Sequence, residues 1–336
     1  MDALVIGGTR NLGPGIVQEL RERGFRVTVF HRGVTPAALP EDVETVHGDR
    51  AVEADLRRGL GSRSFDCVVD TTLYTGPEAA VAARVLAGRV GRYVMLSTGQ
   101  VYLVRTGLTR PFREEDYEGP VMAAPEGADY GDWLYGVDKR AAEETLLGAR
   151  ELPVTVLRMP MVHSVRDHYQ RIGAYLARLL DGGPILVPAG EEPRLRHVYG
   201  GDVVRCIGEL TATGVGMGRA YNLSQEEAPG LEECLGALAG LVGAELRLVE
   251  VERERLEGAG LLLDCSPFSG RWMSALDNGR SRRELGARFT EWREYLPGRV
   301  AGLLAGVRAA PPRYGKRTAE LALLSNCNDT VTAVHC

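Results

Sequence analysis

A tyrosine and a lysine four residues apart are the strongest chemical signal in the sequence. Tyr135 and Lys139 stand in the segment YGVDK, and this spacing puts both side chains on one face of a helix. A phenol ordinarily has a pKa of about 10 and is a poor base at neutral pH. An ammonium one turn away favours the phenolate and lowers that pKa. The pair is therefore predicted to shuttle a proton.

A third catalytic group is expected where a strand ends in STGQVY. Substrates of open α/β sheets bind at the carboxyl edge, so a hydroxyl there can hold the substrate oxygen against the tyrosine. We assign that role to Thr98, because Ser97 fits better as a residue that satisfies backbone groups in a turn. Tyr74 and Gln100 border the expected nicotinamide pocket and are predicted to contact the substrate.

The N-terminal segment GGTRNLG follows a short apolar run and precedes apolar residues at helical spacing. In a strand-to-helix turn, glycines let the backbone approach a pyrophosphate, and the amides at the helix N-terminus face the anion. The turn is therefore predicted to bind a dinucleotide. Its predicted contact residues are Gly7, Thr9, Arg10, Asn11, Leu12 and Gly13.

Charged residues expected near the adenosine of a bound dinucleotide favour NADP(H) over NAD(H). Arg10 occupies the place of the middle glycine of the usual fingerprint, and Arg32 follows the second strand where an NAD site would have an acidic residue. Two guanidinium groups and no carboxylate suit a 2′-phosphate, so we predict NADP(H), with NAD(H) as second choice. Asp49 could accept a hydrogen bond from the adenine amino group or cap the following helix, and we predict the adenine contact because strand ends at this edge of the sheet line the cofactor site. The predicted cofactor contacts also include Arg50, Thr71, Thr72, Pro160 and Val162, besides Tyr135 and Lys139.

Strands and helices alternate along the first half of the chain, which predicts parallel βαβ units. The expected fold class is α/β: a Rossmann doubly wound parallel sheet with a smaller C-terminal α/β substrate lobe. We assign residues 1–165 to the NAD(P)-binding domain, 166–315 to a substrate-binding lobe that can share segments with it, and 316–336 to a terminal helix and loose tail. The proline-rich stretch 103–131 reads as a long loop before a helix from Tyr135 to Leu147.

Histidines and arginines of the second half are the candidates for anionic substrate groups, since arginine binds phosphate or carboxylate in a bidentate manner. His163, Arg171 and Arg196 are the predicted contacts, and Arg166, His168, Arg194 and His197 are weaker candidates. For each, a surface ion pair is the alternative.

Composition limits the function classes. The chain has 336 residues, with 40 Lys+Arg against 45 Asp+Glu, so its net charge of −5 argues against a nucleic-acid binder. No apolar run is long enough for a membrane span, and we expect a cytoplasmic location. The six cysteines are scattered without metal-site spacing, so no metal is predicted. A homodimer is left open.

The motifs GGTRNLG, GDR, STGQVY, YGVDK and VLRMP resemble, in order, those of extended short-chain dehydrogenases/reductases of the NAD-dependent epimerase/dehydratase family. The resemblance covers about residues 1–310, and the GGTR form is similar to a subgroup that includes chloroplast stem-loop RNA-binding proteins. It implies a Rossmann domain, a triad formed here by Thr98, Tyr135 and Lys139, and a small lobe whose arginines clamp a nucleotide sugar. The chain departs from the sugar 4,6-dehydratases, which have Asp-Glu where this sequence has Gly99 and Gln100.

The sequence thus predicts an NAD(P)-dependent oxidoreductase or epimerase that transfers hydride at a secondary alcohol or ketone of a sugar-like or other small metabolite, with Tyr135 as acid and base. The alternative is a catalytically silent relative that acts as an RNA-binding or regulatory protein. Net redox and epimerisation begin with the same hydride step, and the sequence does not separate them.

Overall fold

A computed structural model describes residues 1–36, 38–164, 167, 169–190, 194–306 and 312–325. These residues form two compact units. The first takes those within Met1–Arg166, Arg196–Glu226 and Trp272–Thr290, and the second takes the rest. The chain therefore returns twice to the first unit after residue 166, with the segments Arg196–Glu226 and Trp272–Thr290.

A seven-stranded parallel sheet is the centre of the first unit, with the order β3-β2-β1-β4-β5-β6-β10. Because the chain starts in the middle and winds outward in both directions, the sheet is doubly wound and the expected Rossmann-like fold is confirmed. A separate short parallel pair joins β7 and β9. The strands are β1 Asp2–Ile6, β2 Arg26–His31, β3 Glu44–His47, β4 Cys67–Asp70, β5 Tyr93–Thr98, β6 Val154–Met159, β7 Met161–His163, β9 His197–Tyr199 and β10 Arg219–Asn222.

Helices of the first unit cover both faces of this sheet, and alternate residues of each strand divide between two apolar cores. Val5 packs with Ile16 of α1 and Ile207 of α7, whereas Ile6 packs on the opposite face with Leu56 of α2 and Leu146 of α5. The helices are α1 Gly13–Glu22, α2 Glu53–Leu60, α3 Gly76–Leu86, α4 Gln100–Leu103, α5 Tyr130–Leu147, α7 Gly200–Thr211 and α11 Gly279–Leu285.

The segment 103–131, predicted as a loop, is anchored by backbone and side-chain hydrogen bonds. The Asn222 amide of β10 donates to Glu114 Oε1 over 2.9 Å, and the Asn222 side chain donates to the Phe112 carbonyl over 3.0 Å. Two 3-10 turns interrupt it, Glu114–Tyr117 and Gly127–Asp129. The second turn leads directly into α5, so this helix begins at Tyr130 and the prediction of a start at Tyr135 was wrong.

The second unit combines helices with a two-stranded parallel sheet of β8 and β11. Its C-terminal helix is fixed by a fully buried ion pair, since the Arg178 guanidinium of α6 contacts the Glu320 carboxylate of α13. The remaining tail, with Cys327 and Cys336, lies outside the described residues. The elements are α6 Arg171–Leu180, β8 Ile185–Pro188, α8 Leu231–Val242, β11 Leu248–Val251, α9 Arg253–Gly258, α10 Leu262–Cys265, α12 Trp292–Gly306, the 3-10 turn Pro312–Tyr314 and α13 Arg317–Ser325.

Four cysteines, namely Cys67, Cys206, Cys234 and Cys265, are buried as free thiols, and burial raises the pKa of each to about 12. Such thiols are poor nucleophiles at neutral pH. Within the described ranges, no three His, Cys, Asp or Glu side chains are grouped as a metal ion would require. None of the helices in the described part of the chain is long and apolar enough to cross a membrane.

Candidate active site

Lys139 is a buried cation on α5, with only 4% of its surface exposed. Its Nζ donates hydrogen bonds to the carbonyls of Leu73 and Leu96, over 2.6 and 2.9 Å. The ammonium faces two aromatic rings, whose centres are 4.9 Å away for Tyr74 and 5.9 Å away for Tyr135. Burial lowers the pKa of Lys139 to about 8, although nearby carboxylates oppose this shift. A charge held in this way is placed to act on the adjacent phenol.

The rings of Tyr135 and Tyr74 lie next to each other near this ammonium, with ring centres 6.3 Å apart. Tyr135 is half-buried, whereas Tyr74 is 48% exposed. Thr98 ends β5 at the carboxyl edge of the sheet, and its Oγ1 accepts a hydrogen bond from the Gln100 amide over 3.2 Å. The structure thus brings Tyr135, Lys139 and Tyr74 together and puts Thr98 on the strand whose Leu96 carbonyl holds Lys139.

Two acidic side chains that the sequence analysis did not assign, Asp129 and Asp132, precede Tyr135 at the start of α5. Asp132, three residues earlier on α5, accepts a hydrogen bond from Gln100 Nε2 over 2.9 Å. Partial burial and the neighbouring Asp129 raise the pKa of Asp132 above its ordinary value. Asp129 in turn accepts from the Trp272 indole N–H over 2.7 Å. The i, i+3 spacing of Asp132 and Tyr135 is the signal that could have indicated this neighbour.

The glycine turn has the geometry of a close-approach site. Gly7 has φ = 92°, and a Cβ there would lie 2.3 Å from Thr71 Oγ1. A Cβ at Gly13 would lie 2.4 Å from the Gly8 backbone, so only glycine allows the turn to fold back onto the start of α1. Thr71 braces the turn, because its Oγ1 donates to the Ile6 carbonyl and accepts from the Gly8 amide, over 2.9 and 3.1 Å.

The segment that follows β2, next to the glycine turn, has positive and neutral side chains. Arg10 and Arg32 are exposed, and Arg10 Nε donates to Thr35 Oγ1 over 2.8 Å. His31 contacts His47 edge to face, with ring centres 4.9 Å apart, and partial burial and His47 lower the pKa of His31. No acidic residue occurs in the segment 31–40. An anion would therefore meet no fixed negative charge from the segment that follows β2.

Arg50, predicted to contact the cofactor, is turned into the protein with 7% of its surface exposed. Its guanidinium forms an ion pair with the fully buried carboxylate of Asp70, which also accepts a hydrogen bond from the Tyr93 hydroxyl over 2.6 Å. Asp49 Oδ1 accepts from the Ala51 amide over 2.9 Å and stabilises a turn ahead of α2. The buried pairing of Arg50 joins residues that lie 20 positions apart, and local sequence patterns carry no sign of it.

The other predicted contacts differ in their surroundings. Leu12 is buried in the core of the sheet, and Val162 packs against the same core. His163 is buried and stacks on His197 with ring centres 4.9 Å apart. Arg171 belongs to the second unit, where its guanidinium lies over the Tyr169 ring. Arg166 and His168 lie outside the described residues, whereas Asn11, Thr9, Thr72, Pro160 and Arg196 are partly exposed.

Two curated proteins are similar to the chain in sequence. The 2′-dehydrokanamycin reductase of Streptomyces kanamyceticus is 28% identical over 287 residues, which are 82% of this chain and 76% of that protein. The chloroplast stem-loop binding protein of 41 kDa b of Arabidopsis thaliana is 26% identical over 200 residues, which are 55% of this chain and 48% of that protein. No protein-family model matches the chain.

Solved structures of sugar-nucleotide enzymes share the fold. The UDP-glucose 4-epimerase of Thermotoga maritima, solved with UDP-glucose, has a TM-score of 0.71 at 19% identity and covers 92% of this chain and 100% of its own. The dTDP-glucose 4,6-dehydratase of Bacillus anthracis, solved with NAD, has a TM-score of 0.72 at 16% identity and covers 91% and 97%. At such identities the likeness establishes a common fold.

Proposed function

We propose that this chain is an NADP(H)-dependent reductase of the extended short-chain dehydrogenase/reductase type, and that it reduces a ketone on an amino sugar or a related small metabolite. The observation that carries the proposal is the buried Lys139 ammonium beside the adjacent rings of Tyr135 and Tyr74. The 28% identical relative is a reductase, which favours net reduction over epimerisation. Incubation with NADPH and 2′-dehydrokanamycin, followed by analysis of the product, tests the assignment.

The residues present fit a dinucleotide. The turn of Gly7 and Gly13, in which a Cβ would clash with Thr71 or the Gly8 backbone, folds closely against the start of α1, where a pyrophosphate would face the helix N-terminus. Backbone amides of this turn would bind the phosphates, and the residues around Thr72, Pro160 and Val162 would border the nicotinamide end. When bound, the nicotinamide supplies the hydride.

Side chains of the protein would orient the substrate and supply the proton. The Thr98 hydroxyl would hydrogen-bond the substrate carbonyl oxygen, and the Tyr135 hydroxyl would donate its proton to that oxygen as the alcohol forms. Lys139, held by the Leu73 and Leu96 carbonyls, stabilises the phenolate that remains. Gly99 and Gln100 offer no acid or base at the positions used by sugar dehydratases, so loss of water is not expected.

Cofactor choice gives a direct prediction. If Arg10 and Arg32 bind the 2′-phosphate, replacing either by alanine removes a charge-assisted contact of about 1.5–3 kcal/mol and raises the Kd for NADPH about 10- to 100-fold. The Kd for NADH, which lacks that phosphate, should stay unchanged in both variants. Fluorescence titration measures both constants, with Arg57→Ala, another exposed arginine, as the control. Equal weakening of NADH and NADPH, or tighter binding of NADH by the wild type, contradicts the preference.

Asp129 and Asp132 favour a substrate that carries ammonium groups. Asp132 lies three residues before Tyr135 on α5 and Asp129 directly precedes that helix, so their carboxylates would attract a cation towards the reacting carbon. Asp132→Asn should raise KM for an amino-sugar ketone about fivefold, the size of an exposed ion pair, and leave KM for an uncharged ketone unchanged. Steady-state kinetics with both substrates measure this, with the exposed Glu151→Gln as control. An equal change for the two substrates would show that Asp132 does not select for charge.

RNA binding remains the second candidate function, because one relative is named a stem-loop binding protein. The chain spans about half the length of that relative, and its net charge of −5 is unfavourable for a polyanion. A catalytically silent protein would also have no need of the Tyr135 hydroxyl, so the variant Tyr135→Phe distinguishes the two candidates.

A further inference from the structure

Asp70 is a fully buried carboxylate at the end of β4, a strand whose other residues are apolar. Its Oδ2 accepts hydrogen bonds from the Tyr93 hydroxyl, over 2.6 Å, and from the Arg50 guanidinium. Its Oδ1 accepts from the Thr72 amide over 3.0 Å. A buried charge is tolerated only when it is paired and hydrogen-bonded, and three donors meet that need here.

The turn that follows Asp70 connects it to the candidate catalytic lysine. The Thr72 amide is held by Asp70, and the carbonyl of the next residue, Leu73, accepts the 2.6 Å hydrogen bond from Lys139 Nζ. The Tyr74 amide is fixed by Glu78 Oε2 over 2.7 Å, and its ring faces the same ammonium. Displacement of this turn would therefore move both the carbonyl acceptor and the aromatic face that hold Lys139.

We propose that Asp70 is a positioning residue of the active site, which holds the turn that receives Lys139 and supplies a buried negative charge near its ammonium. The role deepens the proposed function, because it matters for catalysis only if Lys139 supports the proton transfer of Tyr135. Asp70 itself is not expected to touch the substrate or the cofactor.

The charges that act on Lys139 come from four elements. Asp70 of β4, Glu143 of α5 and Glu78 of α3 favour the ammonium, whereas Arg50, before α2, opposes it. Glu143 is itself paired with Arg158 of β6, and the rings of Tyr74 and Tyr135 face the ammonium. Burial, opposed by these carboxylates, lowers the pKa of Lys139 to about 8, so loss of one carboxylate would lower it further and leave much of the lysine neutral under working conditions.

The composition makes the charge state of this lysine directly measurable. Of the 40 basic residues, 38 are arginines and two are lysines, Lys139 and Lys316. Protein labelled with ¹³C,¹⁵N-lysine therefore gives two side-chain signals in an NMR titration, and the more exposed Lys316 is an internal reference. Lys139→Met assigns the signals, and no substrate or cofactor is needed.

Replacing the two partners of the Arg50–Asp70 ion pair should shift the Lys139 titration in opposite directions. Asp70→Asn should move the Lys139 titration down by about one pH unit, because a favourable negative charge is lost, and Arg50→Met should move it up. Tyr93→Phe removes a hydrogen bond to Asp70 without removing charge, so it should lower Tm and leave the titration in place. The alkaline limb of kcat/KM for ketone reduction should shift with the titration.

An unchanged Lys139 titration in Asp70→Asn, with Tm lowered as in Tyr93→Phe, would make Asp70 merely structural and overturn the proposal. If Asp70→Asn does not fold, Arg50→Met still decides, since a titration that does not move up contradicts the charge balance. A wild-type protein that shows these titrations but reduces no ketone would instead refute the proposed function and leave the role of Asp70 towards Lys139 standing.

Discussion

Replacing Tyr135 by phenylalanine should lower kcat by about 10²- to 10⁴-fold, the usual contribution of a positioned general acid. The substitution deletes one hydroxyl and keeps the ring, whose centre is 5.9 Å from Lys139 Nζ. Binding of NADPH should therefore be close to normal, because the glycine turn and the ends of the strands remain intact. Single-turnover reduction of a ketone substrate measures the rate, and fluorescence titration measures the Kd for NADPH.

The matched control for this variant is Tyr130→Phe, on the same helix and 47% exposed. It removes an identical hydroxyl one turn and a half earlier, so its kcat should stay at the wild-type value. A Tyr135→Phe protein that turns over at the wild-type rate would remove Tyr135 from the mechanism and favour the binding-protein alternative.

The second large effect concerns stability. Arg158 of β6 and Glu143 of α5 form a buried ion pair, with Nη2 to Oε2 at 2.6 Å and Nε to Oε2 at 3.0 Å. Arg158 also donates to the Tyr102 hydroxyl over 2.8 Å. Arg158→Met leaves the Glu143 carboxylate buried without its cation, so the free energy of unfolding should fall by about 3–5 kcal/mol. Urea denaturation at neutral pH measures the loss.

Two further variants distinguish the effect of burial on stability from the effect of ion pairing itself. Arg57→Met breaks the exposed pair with Glu53 on α2 and should cost at most about 1 kcal/mol. The double variant Arg158→Met/Glu143→Leu replaces both buried charges by apolar groups and should recover much of the loss. If Arg158→Met costs no more than Arg57→Met, the pair does not hold α5 against the sheet.

The features that sequence patterns predict here are local ones. An apolar strand followed by GGTRNLG and a helical repeat indicates the first βαβ unit without reference to distant residues. The spacing of Tyr135 and Lys139 indicates a common helix face for the same reason. Parallel strands joined by helices have few topologies available, which is why the doubly wound sheet was predictable.

Long-range pairings were not predictable. Arg50 was assigned to the cofactor because it follows Asp49 in a strand-end loop, yet its guanidinium is paired with Asp70 across the sheet. The sequence does not show which edge strand of the sheet is free to pair with a later strand. In the structure, β10 pairs with β6 when the chain returns to the first unit. The start of α5 was misplaced because residues 127–129 form a 3-10 turn that carries no apolar periodicity.

The most direct test of the proposed reaction follows the hydride and the proton donor together. The protein is incubated with NADPH deuterated at both C4 positions of the nicotinamide and with 2′-dehydrokanamycin, and the product is examined by mass spectrometry and NMR. We predict an alcohol that carries one deuterium on the former carbonyl carbon, formed by the wild type and nearly absent with Tyr135→Phe. An unlabelled product, or no reduction of this or any other ketone sugar by the wild type, would contradict the account.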